Sequence, residues 1–215
     1  AFIEAEIKPI ENRDDNIRFF DHRREFARTD WDAGGLPLHE WEELLAEARD
    51  VADKAGHYRY AWPESMGGKG GSNLAMAVIR EHLAAKGLGL HNDLQNEHSI
   101  VGNNPFILLF KEFATPEQYA RDGERVMSGA MRPTFGLPVA THCMVFARTS
   151  GKDGDATGIT CYIVPADAPG VKVEEYLWTF NMPTDHPRVS YTDVWVPEDS
   201  YWGEIDRGLG IGQSF

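Results

Sequence analysis

A chain of 215 residues that is 42% hydrophobic and 26% charged has the composition of ordinary globular protein, enough for one substantial core or two small ones, and disorder is not the default. Its 34 acidic side chains outnumber 21 basic ones, and the resulting net charge of −13 repels phosphate backbones and anionic lipid, so neither nucleic acid nor a membrane is an expected partner. Apolar stretches such as residues 106–110 are far too short to span a bilayer, and no basic region followed by an apolar one opens the chain, which reads as cytoplasmic.

Taken in order, Ile3, Ile7 and Ile10 have near-helical spacing, and a second segment carries Ile17, Phe19 and Phe20 before Gly34, Gly35 and Pro37 break it. The next helix is the clearest. Trp41, Leu44, Leu45, Ala48, Val51 and Ala52 make one apolar stripe opposite Glu42, Glu43, Glu47 and Arg49, and Gly56 stands where it should end. Ser72 can cap a further helix whose predicted buried face is Leu74 or Ala75, Val78, Ile79 and Leu83, with Gly87 and Gly89 as stops. Another helix is expected over residues 93–102. Thr115-Pro116-Glu117-Gln118 is a capping-box start with proline at the first helical position, which predicts a helix from Pro116 to about Met127.

Beyond about Val139 the chain changes to strand signals. Residues 142–149 and 158–165 flank a turn-forming stretch, Ser150 to Asp155, and predict a hairpin with a long loop; residues 171–176 and 189–196 supply two more strands. This gives an α+β protein with a helical N-terminal domain over residues 1–131 and a partial antiparallel β domain over residues 132–215. Cys143 and Cys161 each lie in an apolar run and read as small buried hydrophobes, with no metal framework in the sequence.

Several stretches resemble the acyl-CoA dehydrogenase family and occur in that family's order. Residues Tyr60-Ala61-Trp62-Pro63-Glu64-Ser65-Met66-Gly67-Gly68 are similar to its Pro-Glu-x-x-Gly-Gly turn, and Thr115 to Gln118 to its Gly-Thr-x-Glu-Gln helix start. Val194-Trp195-Val196-Pro197, followed by Gly203-Glu204 and Gly208-Leu209-Gly210, resembles the Asp-Val-x-Val-Pro strand and the link to its C-terminal helices. The resemblance implies FAD-dependent oxidation of an acyl-CoA, in which a carboxylate takes the α-proton and the flavin takes the β-hydride.

The departures bear on that activity. Phe135-Gly136-Leu137 match only the start of the family's flavin-binding segment, and Pro138-Val139-Ala140-Thr141-His142 follow where Thr-Glu-Pro-x-x-Gly-Ser-Asp would be expected, so the resemblance implies that an internal piece is absent. Ala1 falls inside the family's first helix, and Phe215 stands where the C-terminal bundle that supplies the catalytic glutamate would begin. The expectation is a shortened family member that retains no FAD and does not dehydrogenate. Glu64, Glu97 and Glu198 match no family base.

Two alternatives stand beside it: an ester or thioester hydrolase acting on a small molecule in a residual acyl pocket, and a non-catalytic fragment that self-associates as a homo-oligomer through unpaired strand edges. The polar run from His91 to Ser99 is the densest in the chain, and His98 and Ser99 are its hydrolase candidates. No Gly-x-Ser-x-Gly motif accompanies them, and Ser72 and Ser128 are the other serines weighed as nucleophiles. The glycine run from Gly67 to Gly71 lacks Walker spacing and reads as a turn.

Overall fold

The computed structural model describes residues 1–20, 27–33, 36–92, 100–102, 105–127, 133–134, 140–177 and 187–214. By internal contacts the chain divides into Ala1–Asn104 and Pro105–Phe215. Within Pro105–Phe215, contacts group two helices with the strands that follow them. Among the described residues, no helix is long and apolar enough to cross a membrane.

The first unit is helical. A π-helical stretch, Ile3–Ile7, runs into α1 (Lys8–Glu11), and a 3₁₀ turn covers Asn16–Phe20. Two-residue strands β1 (Thr29–Asp30) and β2 (Leu36–Pro37) pair antiparallel. α2 (His39–Lys54) buries Trp41, Leu44, Leu45, Ala48 and Ala52, the stripe expected of its spacing, and the left-handed Gly56 follows it. These side chains share a core with Ile3, Ile7, Ile10 and Phe19, where each fully buried aliphatic side chain contributes about 1.5–3 kcal/mol.

α3 (Asn73–Ala84) is capped by Ser72, whose hydroxyl accepts from the Ala75 amide at 3.2 Å. Its orientation corrects the expected face. Met76 and Leu83 are buried with Ile79 packed beside them, whereas Leu74 and Val78 are 77% and 58% exposed. Met76, Ile79 and Leu83 stand at i, i+3 and i+7, so turning them inward points Leu74 and Val78 away. Of the helix expected over residues 93–102, positions 93–99 lie outside the described residues, and residues 100–102 are not helical.

The second unit opens with α4 (Pro105–Phe113) and α5 (Pro116–Met127). The capping box forms as its sequence implies: the Gln118 amide donates to Thr115 Oγ1 at 3.2 Å, and the Thr115 amide donates to Gln118 Oε1 at 2.9 Å. Gln118 has a further task that its motif did not announce. Its Nε2 donates to the carbonyls of Asp199 and Tyr201, both at 2.7 Å, tying the helix start to a strand some eighty residues away.

The sheet runs β3 (Pro133–Thr134), β4 (His142–Arg148), β5 (Ile159–Pro165), β8 (Tyr201–Trp202). β4 and β5 form the expected antiparallel hairpin with His142 opposite Pro165 and Arg148 opposite Ile159, while the short β3–β4 pairing is parallel. β6 (Val171–Tyr176) and β7 (Pro187–Tyr191) make a separate antiparallel pair. The last predicted strand therefore ends at Tyr191, with Asp193 in a left-handed conformation at φ 49° and no strand over 194–196. On one sheet face Met144, Cys161 and Ile163 are buried, and the Trp202 ring packs tilted against Phe110 on α4, with centroids 5.6 Å apart. α6 (Leu209–Gly212) closes the described chain.

Candidate functional site

Side chains alternate across a strand, so the other face of the β4–β5 hairpin is built from Val145, Ala147, Tyr162 and Val164. These four form the floor of a groove of about 610 Å³. Its walls come from the end of β7, the irregular run beyond it and β8: Tyr191, Asp193, Trp195, Glu198 and Tyr201 among them. The left-handed Asp193 turns the chain out of β7 and sends residues 194–197 along the groove as an unpaired wall. Trp195 is 79% exposed there.

The Tyr191 phenol stands near the Cys143 thiol of β4, and burial is the main reason that the pKa of both groups is raised. Cys161 on the buried face has its thiol pushed up to about 12 by burial. Neither cysteine is disulfide-bonded, and both are inert in these surroundings. Among the described residues, the charged side chains that line the groove are Asp193 and Glu198, neither of them in an ion pair, and no lysine or arginine lines it.

Two histidines with lowered pKa stand elsewhere. His91 is fully buried in the first unit beside Glu11, and burial is the main reason that its pKa is lowered; Lys8 lowers it further, while Glu11 and the carbonyls of Leu83 and Gly87 oppose the shift. In the second unit the His142 ring, 2.9 Å from Thr141 Oγ1, is lowered first by burial and then by Arg125, against Asp122 and Asp167. Both groups therefore bind their proton less well folded than unfolded, where histidine titrates near about 6.5. The sign follows: their contribution is intact above about pH 6.5 and is lost as pH falls toward the depressed folded values. Urea midpoints at about pH 7.5 and 5.5 should show the chain weaker at the acid end, and His91→Gln should reduce that difference.

The hydrolase candidates His98 and Ser99, and the flavin-segment residues Phe135, Gly136 and Leu137, lie outside the described residues. So do Glu97 and Ser128. Ser72 is occupied as a helix cap, Glu64 is exposed on a 3₁₀ turn, and Glu198 sits on the groove rim. Among the described residues, no group of three or more histidine, cysteine, aspartate or glutamate side chains is placed to hold a metal ion. The groove itself was not foreseen, because its floor and walls are separated by some thirty to fifty residues; the aromatic Val-Trp-Val-Pro run was its one visible trace.

The architecture defines an α+β protein of the acyl-CoA dehydrogenase fold. A structure assigned to the acyl-CoA dehydrogenases from Mycobacterium abscessus superposes with a TM-score of 0.70 at 19% identity, covering 99% of this chain and 60% of that one. Butyryl-CoA dehydrogenase from Megasphaera elsdenii matches with a TM-score of 0.58 at 18% identity, over 80% of this chain and 53% of its own. PigA, solved with FAD and proline, matches at 0.56 and 15% identity, over 94% and 61%. The chain thus spans about three-fifths or less of the length of these structures. No protein-family model and no curated protein sequence matches it.

Proposed function

We propose that the chain is an acyl-CoA dehydrogenase-type protein whose small-molecule ligand class is the acyl thioester or ester, and that in this form it does not carry out FAD-dependent oxidation. The observation that carries the class is the likeness of fold over 99% of the chain. What supports the loss of oxidation is the direct run from Leu137 into Pro138, where the resembled family places the hydroxyls and amides that hold the flavin ring.

The groove does not fit FAD. The cofactor's pyrophosphate needs donors or positive charge, and among the described residues the charged ones that line the groove are two carboxylates. Self-association belongs to the same reading, supported by β3 pairing with β4 only at His142 and Cys143 among the described residues.

The purified chain is expected to be colourless, to release added FAD on desalting, and to give no acyl-CoA-dependent dye reduction with butyryl-CoA as substrate. Losing a hydride acceptor abolishes the oxidation outright rather than slowing it. One flavin per chain together with FAD-dependent turnover would overturn the reading.

A further inference from the structure

The groove on the β4–β5 face has a chemistry of its own, independent of any flavin or acyl-CoA reading. Its volume of about 610 Å³ is that of a small-molecule site. Among the described residues, four aromatic side chains line it, Tyr162, Tyr191, Trp195 and Tyr201, together with the carboxylates of Asp193 and Glu198. Aromatic faces carry the negative end of a quadrupole, and the two carboxylates, which have no ion pair among the described residues, add negative charge. The net charge of −13 extends that field beyond the groove.

We propose that this groove binds a small apolar molecule bearing a single positive charge, such as a quaternary or protonated amine on a hydrocarbon or aromatic body. The floor of Val145, Ala147 and Val164 receives the apolar body, because Val145 and Ala147 are only half-buried and present apolar surface there. Burial raises the pKa of the Tyr191 phenol, so its ring stays a neutral aromatic partner at physiological pH. An acyl-CoA, with its phosphates, is repelled from the same space by Asp193 and Glu198. Trp195, largely exposed, is the ring with most to gain by covering a ligand.

The test uses the full chain and three probes of related size: benzyltriethylammonium, the neutral tert-butylbenzene and the anionic benzenesulfonate, followed by calorimetry and ligand-observed NMR. The cation is expected to bind at roughly millimolar Kd or tighter, in keeping with the efficiency of small ligands, and the other two more weakly. Rising salt should weaken the cation selectively. Trp195→Ala, Asp193→Asn and Glu198→Gln should each cost about 2- to 5-fold in affinity, the range for partly exposed cation–π contacts and ion pairs.

Asparagine tolerates the left-handed backbone at position 193, and alanine replaces a side chain that is mostly in water, so unchanged thermal melts are expected for both variants. Equal binding of benzenesulfonate or tert-butylbenzene, no binding of the cation at about 20 mM, or affinity unchanged in all three variants would each overturn the proposal. Failure here would leave the flavin result untouched, because the two assays share neither ligand nor residues.

Discussion

Gly68→Ala is expected to destabilise the chain by about 3 kcal/mol, at or beyond the upper end of the usual range for overpacking. A Cβ at position 68 would fall well inside 3.0 Å of the Trp62 carbonyl oxygen, carbonyl carbon and Cβ. Two of those three atoms are backbone and cannot rotate aside. The clash also sits where the turn is pinned, since the Gly70 amide donates to the Trp62 carbonyl at 2.8 Å and the Gly68 amide to the Pro63 carbonyl at 3.1 Å. Gly210→Ala is the control, because nothing lies within 4 Å of its added Cβ. Urea unfolding of both variants checks the claim: equal midpoints would show that the turn relaxes freely.

Glu11→Ala should cost about 2–3 kcal/mol, the penalty for leaving a buried donor unsatisfied together with the space that the side chain vacates. Glu11 is 3% exposed, its Oε2 accepts from the Leu90 amide at 2.7 Å, and its Oε1 accepts from Lys8. It thereby fastens α1 to the turn at residues 89–92, across 79 positions of sequence. The Lys8 ammonium is part-exposed and adds little. Glu11→Gln keeps an acceptor for Leu90 and should recover roughly half of the loss. Hydrogen exchange at the Leu90 amide reads the contact directly; protection there unchanged in the alanine variant would show that Glu11 holds nothing.

The same pair of cases shows how far a sequence can be read. Gly67 and Gly68 announced a turn, but not that Gly68 lies against the Trp62 backbone. Glu11 carried no signal at all, since a carboxylate at the end of a short helix looks solvated until the partner from residue 90 arrives.

What the sequence determined by itself is what local physics dictates. The α2 stripe, the Ser72 cap, the Thr115–Gln118 capping box and the β4–β5 hairpin depend on neighbours a few positions away, and each has the form its spacing implies. The acyl-CoA dehydrogenase-like order of motifs likewise anticipated the fold. Tertiary packing decided the rest. It turned Met76 rather than Leu74 and Val78 into the core and ended β7 at Tyr191. It also assembled the acidic, aromatic groove from segments that are remote in sequence. Periodicity records which residues share a face; which face meets a partner, and which pieces enclose a cavity, are settled only by long-range contacts that no local pattern encodes.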